Sequence, residues 1–407
     1  MSHSAPDNQP DSPPERRAEP PSQLTPPSDI GHGLMPHYPA LRRIKDRRAL
    51  AQSPLYPQIR DELARVLDAV ELGAPAEPRP RADGPLRVLA WNIQRGARLP
   101  ELLAALRDEP ELCRADMLLL SEVDCGMARS GNRHVARELA EALGMHYAFA
   151  VSYLVLGDDL LENPEGGENT QALAGQAILS RLPLLRVENV DLPELKDKFS
   201  SRSEKRLGKK RAILAEVETH KGSLAVACCH LDSNASPRQR AVQLDALLAR
   251  ACARGPRVLV GGDLNSTTYD ASGPGPLMRD LLHKFFITGF DATVDGYMDP
   301  ENGYERPMFE TLARYGMAIE GFNDRSRGTF IYDMNHPYTK AKLHQRVGRL
   351  LTYALVRRLR RWNGVVQARL DWFAGHGITP LGAAVIAPSA GDRPISDHAA
   401  ITVDLDL

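Results

Sequence analysis

The sequence predicts an α/β sandwich. Two observations carry that reading: apolar runs of strand length alternate with helix-period segments, and most of the runs are apolar on both faces, as in strands covered on both sides. A third concerns function: several runs stop on a residue that binds a cation or a phosphate. They are Leu86–Asn92, Met117–Glu122, Ser223–His230 and Arg257–Asn265; a further strand, Ala368–Phe373, carries Asp371, and the last opens on Ser396-Asp397-His398.

Met1 to Pro39 holds ten of the 31 prolines among Ser, Asp, Gln and Glu. Such a segment buries too little apolar surface to offset its ordering entropy, so residues 1–39 are expected to be a disordered tail. Residues 40–85 read as short helices, Leu41–Arg48 and Gln58–Leu72, followed by a Pro-rich linker; Ile59, Leu63, Val66, Leu67 and Val70 recur at helical spacing. The main domain is expected over 86–407. In its first strand Leu86, Val88, Ala90 and Asn92 share one face while Leu89 and Trp91 take the other. Glu101–Leu106 and Val135–Leu143 read as helices, the second stopped by Gly144. Ala177–Leu179 reads as a short strand, and Ile213–Thr219 with Leu224–His230 as a hairpin turned at Lys221-Gly222. Ser236-Pro237 opens a helix to about Ala253, with Ser as N-cap and Pro in the first turn. A long insertion, about 267–366, follows. Within it Lys340–Arg361 carries eight Lys or Arg, no acid and an apolar stripe. It reads as a basic amphipathic helix, packed on the domain or lying against a membrane surface or nucleic acid. Arg369–Phe373, Ala383–Ala387 and Ala399–Leu405 complete the strands.

Composition bounds the function. Hydrophobic residues at 43% allow a sizeable core, and a net charge of −1 gives no global steering toward nucleic acid. The five cysteines show neither a secreted framework nor zinc spacing and read as small apolar residues in a reducing compartment. No apolar run is long enough to span a bilayer and no secretory h-region opens the chain, so a cytoplasmic monomer is expected. No nucleophile elbow, phosphate-binding glycine loop or His-Glu-x-x-His occurs.

The strand ends carry the chemistry. In Gly261-Gly262-Asp263-Leu264-Asn265, alternation puts Asp263 and Asn265 on one face, and the glycines permit close backbone approach. A carboxylate and an amide aimed at one point suit a water nucleophile or a hard metal. Asn92 and Glu122 are oxygen donors of the kind Mg²⁺ takes, one or two at a time. Asp124 on the same strand face is a rival to Glu122. His230 and His398 are candidate phosphate clamps, since imidazolium stabilises charge developing on phosphate oxygens. Asp371 is a candidate partner for His398; Asp397 is the alternative partner, or a ligand of a second metal.

In order along the chain stand Leu89-Ala90-Trp91-Asn92, Leu120-Ser121-Glu122-Val123-Asp124, Ala177-Ile178-Leu179-Ser180-Arg181, His230-Leu231-Asp232, Gly262-Asp263-Leu264-Asn265, Leu370-Asp371-Trp372 and Ser396-Asp397-His398. The set, from about Leu86 to Leu407, strongly resembles the endonuclease/exonuclease/phosphatase superfamily of DNase I-like nucleases, inositol polyphosphate phosphatases and neutral sphingomyelinases. That resemblance implies a four-layered α/β/β/α sandwich and Mg²⁺-dependent phosphoester hydrolysis, with Mn²⁺ as an alternative ion. It also implies roles: Glu122 as principal metal ligand with Asn92 close by and Asp397 in contact with the metal site. Asp263 activates the attacking water and Asn265 orients Asp263 or the phosphate, while His230 and His398 bind the phosphate and Asp371 orients His398. Ser121 and Gln176 depart from the family's usual Gln and Asn. The expected activity is a phosphodiesterase acting on nucleic acid or on a lipid or inositol headgroup. A non-catalytic scaffold keeping the fold is the alternative.

Overall fold

The computed structural model describes residues 30–407 apart from 82, 158–165, 202–204, 268–269, 271, 336–339, 341–343, 345–347 and 392. Its strands are β1 (Val70–Gly73), β2 (Leu86–Arg95), β3 (Met117–Cys125), β4 (His146–Val155), β5 (Leu173–Ser180), β6 (Leu185–Asp191), β7 (Arg206–Gly208), β8 (Arg211–Thr219), β9 (Gly222–His230), β10 (Val258–Asp263), β11 (Phe330–Asp333), β12 (Val365–Ala368), β13 (Asp371–His376), β14 (Thr379–Ile386), β15 (Ser389–Ala390), β16 (Arg393–Pro394) and β17 (Ala400–Asp406). One large sheet runs β1-β4-β5-β3-β2-β17-β14, with β7 also on β4; the other runs β13-β10-β9-β8-β6.

Three apolar layers make this a four-layered α/β/β/α sandwich. Between the sheets lie Leu86, Val88, Ala90 and Met117 from one and Ile213, Val226, Cys228 and Phe373 from the other. Outside the first sheet, Leu89, Trp91, Leu118 and Leu120 meet helices Tyr56–Asp68, Leu99–Asp108 and Val135–Leu143. Outside the second, Ala227, Cys229 and Val260 meet helices Pro237–Cys252 and Arg306–Arg314. The alternation read in β2 is thus realised as two different cores. Cys228 and Cys229 likewise face opposite layers, and all five cysteines are free thiols. Among the described residues no helix is long and apolar enough to cross a membrane.

The domain boundaries need correction at the N-terminus. Residues 1–29 lie outside the described part, but 30–39 do not form a tail. Ile30, Leu34 and Tyr38 are buried in the outer core of the first sheet. Leu34 is flanked by Gly and Met, yet it is buried in the same cluster as Ile59, Leu63 and Val66 of Tyr56–Asp68, which Pro richness does not reveal. Residues 40–85 are not a separate unit either. Helical spacing runs through Val70, yet the helix ends at Asp68 and Val70–Gly73 pairs antiparallel with β4. A β-branched residue at the end of a helical pattern serves either state, and the open edge of β4 decides it.

The inserted region contains helices Pro274–His283 and Phe290–Asp295, a small core of Phe290, Val294, Met334, Leu359 and Val366, and the β11–β12 ribbon. Part of the expected 340–361 helix falls outside the described residues; what is described is a helix over Arg349–Arg358 and a tight turn over Leu359–Trp362. The insertion is pinned to the domain by Glu305, which pairs with Arg240 of Pro237–Cys252 where both side chains are fully buried. Removing one member of such a pair leaves an uncompensated buried charge, so Glu305→Ala lowers the unfolding free energy by roughly 3–5 kcal/mol. Urea titration followed by tryptophan fluorescence checks this; an unchanged midpoint contradicts it.

Candidate active site

The site forms where the two sheets end side by side. β10 pairs parallel with β9 and antiparallel with β13, and the register places Asp263 opposite both His230 and Asp371. Three site residues therefore stand in one row, a strand spacing apart. Gly262 makes the row possible: its φ is +133°, and a Cβ there would lie 2.2 Å from the Cys229 carbonyl oxygen. From the facing sheet, β2 delivers Asn92, whose Nδ2 donates to Asp263 Oδ2 at 3.1 Å. The turn before β17 delivers His398. Its Nδ1 donates to Asp371 Oδ2 at 2.8 Å, and its Nε2 lies 3.7 Å from Asp263 Oδ2. His230 Nε2 is 3.5 Å from the same oxygen. The other Asp263 oxygen accepts the backbone N–H of Asn265 at 2.9 Å.

The backbone is bent to build this. The ladders on both sides of β3 slip at Ser121–Glu122, and Glu122 takes a left-handed φ of +52°. A bulge of this kind turns a side chain that alternation would bury toward the cleft. Gln94, Arg95 and Asn265 also have positive φ. Such conformations cost roughly 1–3 kcal/mol each and persist only where surrounding structure fixes them.

Burial opposes charge on Glu122, but Arg95, foremost among the nearby cations, helps hold it well below the usual carboxylate range. Arg95 Nε lies 3.9 Å from Glu122 Oε2. Burial also opposes a charged His398, yet Asp371 and then Asp263 raise it well above the ordinary histidine value. His230 goes the other way: burial, reinforced by Lys210, lowers it to about 4, so it is uncharged at neutral pH. The two histidines, alike in sequence context, are electrostatically opposite.

Asn92, His230, Asp263, Asp371 and His398 thus form one connected network, with Glu122 at its edge. Asn265 contributes its backbone N–H to Asp263, while its side-chain amide donates to the Leu231 carbonyl at 2.9 Å and so shapes the loop. Asp397 is exposed beside the network, with Ser396 Oγ 3.5 Å from its Oδ1; it is not the partner of His398. Asp124 is bound to Arg129 through both oxygens, at 2.7 and 2.9 Å. Among the described residues, Asp263, Asp371 and His398 are a group of acids and histidine whose ligand atoms lie within 4.8 Å of one another.

Several residues at the site escaped the sequence reading. Lys210, lowered by burial to about 8, feels Asp232, Glu122 and Asp263. Its only signal is the run Lys209-Lys210-Arg211, which resembles any basic turn. Gln176 donates to the Arg211 carbonyl, so the departure from Asn at this position braces the segment carrying Lys210. Thr329 and Phe330 come from the insertion and carry no mark of chemistry. Thr329 Oγ1 accepts from the N–H groups of Leu370 and Asp371, both at 3.0 Å, and the Phe330 ring packs edge-on against His398 with centroids 4.9 Å apart.

The Asp371–His398 ion pair makes stability depend on pH. A histidine raised in the folded state stabilises the fold fully below its free value of about 6.5, and that contribution fades as pH rises through the raised value. In imidazole ¹⁵N NMR at neutral pH, His398 appears doubly protonated and His230 neutral; Asp371→Asn moves His398 to the neutral form. A neutral His398 in the wild-type protein contradicts the assignment.

A model of the Endonuclease/Exonuclease/phosphatase family matches residues 89–398. No curated protein matches the sequence. Among solved structures, the chain is similar to the 3′ phosphatase NExo from Neisseria bound to product DNA hairpin (16% identity, TM-score 0.45, covering 79% of this chain and 100% of that one). It is also similar to TDP2 from D. rerio complexed with single strand DNA product (15%, 0.44, 80% and 100%). A third is the human Nocturnin catalytic domain with bound sulfate anion (16%, 0.41, 79% and 93%).

Proposed function

Since the chain belongs to the endonuclease/exonuclease/phosphatase family, we propose that it is a metal-dependent phosphoester hydrolase, acting on a phosphodiester. The observation that carries this reading is the Asp263 carboxylate, 2% exposed, set between a charged and an uncharged imidazole and steadied by Asn92. That arrangement suits attack of water on an anionic phosphate. Asp263 orients the water and takes its proton as the new oxygen–phosphorus bond forms; the phosphorus–oxygen bond to the leaving alkoxide breaks on the opposite side, and the alkoxide departs as the alcohol after taking a proton from solvent. His398, kept charged by Asp371, binds a non-bridging oxygen and balances the growing negative charge. His230 donates one neutral N–H to the phosphate. This differs from the sequence expectation of two imidazolium clamps, because two adjacent charged imidazoles beside Lys210 repel one another.

A divalent ion fits the Glu122 side. Glu122 and the Asn92 Oδ1 are oxygen donors, and Glu122 is ionised and half-buried with the Arg95 guanidinium already drawn to it. Mg²⁺ or Mn²⁺ held there by Glu122 and Asn92, with Asp397 at the rim, would supply positive charge to the phosphate oxygens. The buried triad is a poorer ion site, because its closest contact is a hydrogen bond between Asp371 and a protonated His398.

The test is a hydrolysis panel of single- and double-stranded DNA, RNA, inositol phosphates and lipid vesicles, with and without Mg²⁺. Asp263→Ala lowers turnover by about 10²–10⁴-fold, the usual contribution of a positioned base, with the melting profile retained. Glu122→Ala abolishes the thermal stabilisation that Mg²⁺ gives the wild-type protein. Hydrolysis unaffected by chelation overturns the metal assignment. No hydrolysis and no metal response mean that the fold is kept without the chemistry.

A further inference from the structure

The described helix Arg349–Arg358 has two faces of opposite purpose. Thr352, Leu355, Val356 and Leu359, at helical spacing, turn toward the small core of the insertion, where Thr352 is 1% and Leu359 6% exposed. Leu350, Tyr353 and Arg357, also at helical spacing, form the opposite crest. A solvated crest would be polar. Here Leu350 is 89% exposed and Tyr353 68%, flanked by the exposed Arg349, Arg357, Arg358 and Arg360. Asp291 pairs with Arg361, while Arg358 lies over the Phe290 ring. Among the described residues no carboxylate pairs with Arg349, Arg357 or Arg360.

We propose that this crest is a docking surface for an anionic phospholipid bilayer. A fully exposed leucine and a tyrosine between arginines match the two layers of such a surface. The apolar groups enter the headgroup–acyl boundary, and the guanidinium groups reach back to lipid phosphates. Charge alone would serve a nucleic acid equally well, but a phosphate backbone offers nothing to an aliphatic side chain. The same bias extends through the insertion: seven of the nine large apolar residues exposed among the described residues fall between 267 and 366, Met278, Leu282 and Ile287 included.

The crest is connected to the catalytic end. The helix runs through Leu359–Trp362 into β12, β12 pairs with β11, and β11 carries Phe330 against His398. Thr329 also accepts the N–H of Ala399 at 2.7 Å through its carbonyl. Docking of this helix therefore ties the catalytic end to the bilayer surface through β11 and β12. The proposal goes beyond the hydrolase reading and does not depend on it.

Co-sedimentation of the full chain with vesicles tests it. The wild-type protein is expected to bind vesicles of phosphatidylglycerol and phosphatidylcholine in equal parts, to ignore pure phosphatidylcholine, and to lose binding as salt rises. Two double variants, Leu350→Glu with Tyr353→Glu and Arg349→Gln with Arg357→Gln, each weaken vesicle affinity roughly tenfold or more. Both keep the wild-type melting profile and the wild-type rate on the soluble diester bis(p-nitrophenyl) phosphate. Failure of the wild-type protein to bind anionic vesicles, or binding that survives in both variants, overturns the proposal. So does tight binding of single-stranded DNA that the arginine variant loses and the Leu350/Tyr353 variant keeps. Absence of soluble diester hydrolysis counts against the hydrolase reading alone.

Discussion

A single buried carboxylate sets the terms for this structure. Asp263 is almost wholly removed from water at the meeting point of two sheets, and a carboxylate there is stable only if surrounding groups replace its hydration. One sheet supplies His230 as its neighbour across the ladder, the other supplies Asn92, and the last turn of the chain supplies the cation of His398. Each donor comes from a different part of the sequence. The packing of sheet on sheet, the closeness of β10 to β9 at Gly262, and the seating of the His398 turn all serve one charge balance. The carbonyl of His398 is itself held by Trp91 Nε1 at 2.9 Å, so the same strand that brings Asn92 also fixes the loop carrying the imidazole.

That dependence explains where the sequence was legible. Strand alternation is a strong signal when both faces are covered: β9 follows it throughout, and β2 and β3 follow it as far as Asn92 and Leu120. Asn92, Glu122, His230 and Asp263 could be named because a polar group with metal or phosphate chemistry stands out against an apolar run. His398 and Asp371 were visible for the same reason, and the structure joins them directly. What alternation does not carry is the break in it. The bulge at Ser121–Glu122 and the left-handed residues after Asn92 have no sequence mark beyond ordinary polar side chains, although they decide where Glu122 and Arg95 point.

Other parts were illegible for different reasons. β4, His146–Val155, rich in Tyr, Phe and Ala, carries no strand-end polar residue to mark it, although it is the strand to which β1, β5 and β7 all pair. Only β5 follows it directly in the sequence; β1 and β7 are brought to it by tertiary pairing. Ile30–Tyr38 looked like the end of a low-complexity tail, because two or three buried side chains do not change a composition average. The insertion offered a basic stripe but gave no hint that Thr329 caps the backbone of Asp371. A hydroxyl that satisfies two buried N–H groups is visible only once those groups are known to lack other partners.

The opposite charge states of the two histidines follow from their positions rather than their type. Both are deeply placed, and burial alone would leave both neutral. His398 has a dedicated carboxylate at 2.8 Å whose own second oxygen is buried without a hydrogen-bond partner. A carboxylate so poorly hydrogen-bonded is stabilised by the cation it holds at 2.8 Å, and this keeps the proton on the imidazole. His230 shares Asp263 with Asn92, the Asn265 backbone and His398, and it faces Lys210 as well. A second proton there would place three cations around one carboxylate. The site thus fixes one imidazole as a standing positive charge and leaves the other as a plain hydrogen-bond donor.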